Sequence, residues 1–429
     1  MPHRTMYPLA LIALFAASVR GQGAAWSQCM CLTFHPDVPS CRSKGWSGST
    51  TCVTGSTCTA CLPGSATTTV ATTTTSTPPV STPATTTSTA TGPSGTCTSN
   101  SPKSRTGTLQ LVGVNIAGFD FGCNTDGSCT ASAAYPPLTQ YYGKDGKGQM
   151  THFVNDDGYN VFRLPVGWQF LTNNVLGGPI NQTNLAEYDA LVQTCLATGA
   201  SCIINIHNYA RWNGGIIGQG GPTNAQFAAT WSAIATMYKD TPKVIFGVMN
   251  EPHDIPDINL WAGSVQAAVT AIRNAGATTQ MILLPGNDWT SGAAFISNGS
   301  GDALKKVVNP DGSVTNLVFD VHQYLDVDNA NLGWEPLTQW LRCNGRQAFN
   351  TETGGGNTAS CITYMCQQIA YQAQNSDVIL GYVGWAAGNF DVSYVLSELP
   401  AGSGTNWTDT TLVAQCMAPK AGAQQGSTS

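Results

Sequence analysis

Residues 97–420 predict an α/β fold of the (β/α)8 (TIM) barrel class. Three observations predict it. Eight short apolar runs rich in β-branched residues recur along the segment, stretches of helical periodicity separate them, and each run is continuously apolar rather than alternating. Continuous runs belong to strands covered on both faces, as in parallel sheets flanked by helices. Eight strand–helix units over roughly 320 residues close a barrel.

The runs, in order, are 109–116, 160–166, 201–206, 244–249, 281–285, 317–321, 346–351 and 378–384. Between them, 185–198, 224–238 and 259–275 carry helical periodicity, with Asn224 and Asn259 as N-caps. The competing arrangement, a doubly wound open sheet, carries a glycine-rich phosphate loop after its first strand. Here the first run leads into Asn115-Ile-Ala-Gly-Phe-Asp120, which is no such loop. The glycine-rich stretch 214–221 follows the third run and lacks a nucleotide loop's lysine, so it reads as a surface loop.

Ahead of the barrel, composition divides the chain. His3 and Arg4 precede an apolar stretch, 9–19, and small residues follow to Ala25. That is a secretory leader over 1–25, too short to span a bilayer. Residues 26–64 hold six cysteines and read as a small disulfide-rich β module, too small for a core of its own. Residues 65–96 are almost wholly Thr, Ser, Pro and Ala, an extended linker whose hydroxyls suit O-glycosylation. Residues 421–429 form a tail. Fifteen cysteines point to an oxidising, extracellular compartment, where Asn181, Asn298 and Asn406 are permitted glycosylation sites.

A net charge of −6 with 10% charged residues leaves no basic stripe to neutralise phosphates, which excludes nucleic acid as a partner. No later run is long enough to cross a membrane. Nothing points to oligomerisation, so a monomer is expected.

In such a barrel the active site forms at the C-terminal ends of the strands. Read in order, those ends carry Asn115; Arg163; His207 and Asn208; Asn250 and Glu251; Asn287 and Asp288; His322 and Tyr324; Glu352; and Trp385. Nearly every strand ends on a group able to hydrogen-bond, ionise or stack. Two glutamates across one barrel mouth suit glycosidic bond hydrolysis, which needs an acid for the leaving oxygen and a carboxylate at the anomeric carbon. Tyr324 and Arg163 would hold Glu352 ionised, leaving Glu251 as the group whose pKa must rise. Asn250 suits the sugar 2-hydroxyl. His207 and His322 read as orienting groups, because their spacing matches no metal-ligand motif. Trp385 offers a face for a pyranose ring, and Trp168, Trp212 and Trp289 would extend that platform.

The motifs Asn250-Glu251-Pro252, Thr351-Glu352-Thr353-Gly354-Gly355-Gly356, Arg163-Leu-Pro165, Ile206-His207-Asn208-Tyr209 and His322-x-Tyr324 resemble glycoside hydrolase family 5. The stretches 114–122 and 207–221 resemble its fungal endo-β-1,4-glucanases. The resemblance implies a retaining mechanism with Glu352 as nucleophile and Glu251 as acid/base. It places Arg163, His207, Asn250, His322, Tyr324 and Trp385 at supporting positions, and with Asn208 from the strand ends and Trp212 and Trp289 from the platform these are the expected substrate-binding residues. It implies cellulose or another β-glucan as the partner, and no cofactor or metal. Mannan, xyloglucan or mixed-linkage glucan are alternative substrates. A carbohydrate-binding protein without activity is a further alternative, against which both glutamates stand intact.

The resemblance also implies disulfides Cys123–Cys129, Cys195–Cys202 and Cys366–Cys416, with Cys343 as a partner for Cys361. After Tyr324 the family has a longer loop than 326–334 provides. The 26–64 module resembles a fungal cellulose-binding module through Trp26-Ser-Gln-Cys29 and Gly45-Trp-Ser-Gly-Ser-Thr-Thr-Cys52. It departs by an insertion at 30–44 and by loss of two adjacent aromatics before Cys61, leaving Trp26 alone of the three stacking residues. Asn350, just before the nucleophile, needs hydrogen-bond partners if buried.

Overall fold

The computed structural model describes residues 107–325 and 334–420, and besides them the strands Thr50–Cys52 and Cys61–Pro63, which pair antiparallel with Cys52 opposite Cys61. The leader, Trp26, the linker, the loop at 326–333 and the tail lie outside the described residues.

Eight parallel strands close into a barrel in sequence order. They are β1 (Leu111–Ala117), β2 (Val161–Val166), β3 (Ser201–Ile206), β4 (Val244–Gly247), β5 (Ile282–Pro285), β6 (Leu317–His322), β7 (Ala348–Thr353) and β8 (Ile379–Gly388). Each expected run is a strand, though β7 begins and ends two residues later than expected and β8 continues to Gly388. The crossovers carry α1 (Gly146–His152), α2 (Gln182–Ala197), α3 (Asn224–Tyr238), α4 (Ile258–Asn274), α5 (Ser300–Leu304), α6 (Trp334–Cys343) and α7 (Ala359–Gln374).

Continuous apolar runs are explained by two cores. One cluster draws Val161, Ile203, Ile245, Leu283, Val318, Phe349, Leu380 and Val383 from seven strands, with Leu111 of β1 packed against it. It fills the barrel interior. The alternate side chains, such as Phe162, Ile204, Phe246 and Phe319, pack outward against helix residues such as Trp231 and Trp261. Because strand side chains alternate, the interior positions two residues beyond this apolar plug include Arg163, Asn205 and Asp320. A polar layer therefore sits directly on an apolar one.

The helix caps differ from expectation. Thr223, not Asn224, caps α3 in a capping box with Gln226, and Asp257, not Asn259, caps α4 by accepting from Asn259 N and Leu260 N. The true caps stand just before the helical turn, where a side-chain oxygen reaches back to the exposed amides. Asn224, one residue inside, instead accepts from Ser264 Oγ across 2.6 Å. The glycine-rich stretch is a small ribbon in which Arg211–Trp212 pairs with Gly215–Ile216, and Ile217 is fully buried beneath it.

Cys123–Cys129, Cys195–Cys202 and Cys366–Cys416 are bridged. The expected Cys343–Cys361 bridge does not form. Cys361 is a buried thiol and Cys343 is disulfide-bonded to another cysteine. Cys361 lies in the first turn of α7 and packs over Gly355, so its sulfur is turned into the barrel wall. Asn350 is fully buried, and the amide orientation that satisfies it donates Nδ2 to Glu352 O (2.9 Å) and Val321 O (3.2 Å) while Oδ1 accepts from Gln372 Nε2 (3.1 Å).

Candidate active site

One irregularity of β7 sets the centre of the site. Val321 pairs with Asn350 but His322 pairs with Glu352, so Thr351 is an extra residue on β7. A bulge breaks the two-residue alternation and re-aims the side chains beyond it. Phe349 thus packs in the interior plug while Glu352, three residues on, also faces inward, opposite His322.

Glu251 arrives differently. The chain leaves β4 through buried Val248, Met249 and Asn250 and turns at Glu251, which adopts a left-handed φ of 36°. Strained backbone of this kind persists only where neighbours hold it. Here Asn250 N donates to Ile206 O, and Pro252 O accepts from Trp289 N. The turn delivers the Glu251 carboxyl to His322 Nδ1 at 2.9 Å, while the same nitrogen lies 3.4 Å from Glu352 Oε2. Oxygens of the two glutamates and the His322 nitrogen lie within 4.8 Å of one another.

Arg163 ties four strands together at this level. Its Nη1 donates to Glu352 Oε1 (2.5 Å) and Asn115 Oδ1 (2.9 Å), and its Nη2 donates to Asn250 Oδ1 (2.6 Å). Tyr324 donates to Glu352 Oε2 at 3.0 Å. Both oxygens of Glu352 therefore accept hydrogen bonds, and an accepting carboxylate is favoured in its charged form. Burial holds its pKa above the usual range, and Arg163 and the Tyr324 hydroxyl oppose that rise. Among the described residues Glu251 pairs with no Arg or Lys, only with His322. Burial first, and then the Glu352 charge, push its carboxyl well above the usual range. His207 and His322 are held well below the usual range by burial and then by the Arg163 charge, so both imidazoles are neutral.

The chain matches the description "Cellulase (glycosyl hydrolase family 5)" over residues 114–391. It belongs to that cellulase family. It is 57% identical over 429 residues to "Endoglucanase EG-II" of Hypocrea jecorina, covering 95% of this chain and 98% of the relative. Among solved structures, it resembles Cel5A (EG2) from Hypocrea jecorina at 61% identity and a TM-score of 0.71, covering 73% of this chain and 99% of that one. It also resembles XacCel5A in complex with cellopentaose, at 30% identity and a TM-score of 0.62, covering 71% and 97%.

In this cellulase-family barrel the residues expected at the site fall into two groups. Arg163, Asn250, Glu251, His207, His322, Tyr324, Glu352 and Trp385 converge on one mouth. Asn250 Nδ2 lies 3.2 Å from His207 Nε2, and His207 stacks parallel to Trp385 with ring centroids 5.4 Å apart. Trp385 Nε1 donates to Tyr394 OH. Asn208 is fully buried below the mouth: its Oδ1 accepts from Trp168 N, and its Nδ2 donates to Gln169 Oε1 and Gly127 O. Its amide is consumed in fastening loops. Trp168 is likewise core, wholly buried, with Nε1 bonded to Thr230 Oγ1. Trp212 is half-buried, edge-on against Trp168. Trp289 is half-buried on a tight left-handed turn and stacks face to face with His253 at 3.8 Å.

Several contributors were not singled out by sequence. Asp320 and Thr351 lie behind His322, with His322 Nε2 3.1 Å from Thr351 Oγ1. Asp320-Val-His322 has the two-residue spacing of one strand face, a signal available in advance. Tyr209 links His207 to Trp289, and Phe390 links Trp385 to Phe121, so one line of rings crosses the mouth.

Proposed function

We propose that this protein is a retaining endo-β-1,4-glucanase in which Glu352 is the nucleophile and Glu251 the acid/base. The observation that carries the reading is the unequal setting of two carboxyls within 4.8 Å. Retaining enzymes hold their carboxyls about 5 Å apart. Glu352 accepts from Arg163 and Tyr324 and stays ionised; Glu251, buried and without a cation of its own, holds a proton.

Glu352 attacks the anomeric carbon as the glycosidic C–O bond breaks, and Glu251 passes its proton to the leaving oxygen. Glu251, now a carboxylate, removes a proton from water, whose oxygen displaces Glu352 from the same carbon and regenerates both groups. Asn250, fixed by Arg163 and His207, keeps an Nδ2 hydrogen for the sugar 2-hydroxyl. The ring line from Trp289 to Phe121 suits a chain of pyranose units, which agrees with the endoglucanase names of the relatives and with the cellopentaose bound by one of them. We read the enzyme as a secreted monomer acting on cellulose and related β-glucans, with the 26–64 module as an atypical cellulose anchor. Its three described disulfides fit an oxidising compartment.

Release of reducing ends from carboxymethylcellulose by the wild type, falling about 1,000-fold or more in Glu352→Gln, tests the assignment. The first product anomer seen by proton NMR should be β. An α anomer would overturn the retaining mechanism, and equal release by both proteins would overturn the nucleophile.

A further inference from the structure

A second cluster of ionisable side chains lies apart from the catalytic network, where α1 passes into the turn Phe153–Asp157. His152 ends α1, and Asp156 and Asp157 sit on the turn. Asp409 follows the hairpin formed by Ala401–Ser403 and Asn406–Thr408, which also stacks Trp407 on the His152 ring. His152 Nδ1 lies 2.6 Å from Asp156 Oδ2. Its Nε2 lies 2.9 Å from Asp409 Oδ1 and 3.5 Å from Asp157 Oδ2.

Two features point to a ligand. First, Asp157 Oδ2 has no hydrogen-bond partner among the described residues, although its side chain is 8% exposed and faces the imidazole nitrogen at 3.5 Å. An unpaired buried carboxylate oxygen is costly. Second, both ring nitrogens face carboxylates, Nδ1 toward Asp156 and Nε2 toward Asp409, so an ion that displaces the Nε2 proton meets that lone pair and the two remaining carboxylates while Asp156 keeps the Nδ1 hydrogen. That is the carboxylate–histidine arrangement found behind metal-ligating imidazoles. The ion pairs of these three aspartates among the described residues all run to His152, so a single ring faces three carboxyl groups, and burial and then the Asp409 charge push the Asp157 carboxyl up to about 7.

We propose that His152 Nε2, Asp157 Oδ2 and Asp409 Oδ1 bind a divalent first-row cation such as Zn2+ or Mn2+, with Asp156 orienting the imidazole. The three donor atoms lie within 4.8 Å of one another, and one nitrogen with two carboxylate oxygens suits this class of ion. The two ligating carboxylates neutralise its charge. The catalytic group Glu251, His322 and Glu352 is equally close-set, but Arg163 donates directly to Glu352 and opposes a cation there. The ion joins residues 257 positions apart, the first helix and the C-terminal segment. Its role is to clip the ends of the barrel chain together, not to enter the reaction.

The test is calorimetric titration of chelator-treated full-length protein with Mn2+ and with Zn2+, paired with thermal unfolding and activity. One ion per chain should bind and raise Tm without loss of activity, and Glu352→Gln should bind equally well. Asp157→Asn and Asp409→Asn should weaken binding about 10-fold or more. Asp156→Asn, whose side chain is 59% exposed and therefore safe for folding, should weaken it by roughly 10-fold through the imidazole. No saturable binding by the wild type would overturn the proposal in favour of a protonated His152. Unchanged affinity in Asp156→Asn, or binding lost in Glu352→Gln, would overturn this site.

Discussion

Thr351 donates its hydroxyl hydrogen to Asp320 Oδ1 across 2.5 Å, leaving Oδ2, unpartnered among the described residues, to hold any proton on Asp320, and this sets the direction of the two hydrogen bonds of His322 in front of it. With its hydrogen committed, Thr351 Oγ1 accepts from His322 Nε2, which must carry the ring hydrogen. A neutral imidazole protonated at Nε2 presents a bare Nδ1 to Glu251. The hydrogen between them belongs to the carboxyl. The relay keeps Glu251 in its acid form before the leaving group departs.

Thr351→Val should therefore free the imidazole to place its hydrogen on Nδ1, where it stabilises the Glu251 carboxylate. The alkaline limb of the kcat/KM pH profile should move down by roughly one unit. A limb that stays in place with normal kcat would remove Thr351 from proton control.

Arg163→Ala leaves Glu352 buried without its cation. Breaking a buried pair on one side costs about 3–5 kcal/mol, measurable by urea denaturation. The acid limb of activity should rise at the same time, because Glu352 then takes a proton more readily. An unmoved acid limb would show that Tyr324 alone suffices to keep it ionised.

Stability should decline as pH rises. Burial pushes Asp120 and Asp320 up to about 7 and Glu398 well above the usual range. The folded protein thus keeps protons that the unfolded chain releases near pH 4, so the stabilisation is complete below that pH and lost as pH passes 7. Tm should fall steadily between pH 4.5 and 8. Glu398 lies against Gly384 with both oxygens unpartnered, and Glu398→Gln should flatten the decline. A Tm that rises with pH would contradict this sign.

Trp289→Ala removes the outer end of the ring line, away from the reacting carboxyls. KM for cello-oligosaccharides should rise roughly 10-fold with kcat nearly unchanged, the mark of binding shared by ground and transition states. A matching loss in kcat would instead place Trp289 in transition-state geometry.

Much of this architecture is legible in the chain because burial on two faces writes itself as uninterrupted apolar runs. All eight strands, and the two glutamates at or past their C-terminal ends, follow from that pattern. The caps of α3 and α4 stand one and two residues ahead of the expected ones, because Thr223 and Asn224, or Asp257 and Asn259, are equally good caps by type and differ only in where the turn begins. The bulge at Thr351 has no local signature, yet it decides that Glu352 faces inward. Asn208 and Trp168 have the residue types of a binding surface, but the loop at Gly127 and helix α3 at Thr230 close over them, a tertiary event invisible to spacing.

The polar machinery and the ring line are built on different parts of the chain. Asn115, Arg163, His322 and Glu352 belong to strands, whereas Tyr209, Trp289, Phe390 and Phe121 sit on the excursions beyond them. The nucleophile and its arginine are thus inherited with the barrel, while the outer rings that would tell one polysaccharide from another stand on segments more open to exchange. Loop transplantation between relatives should retarget this enzyme more readily than any edit to its strands.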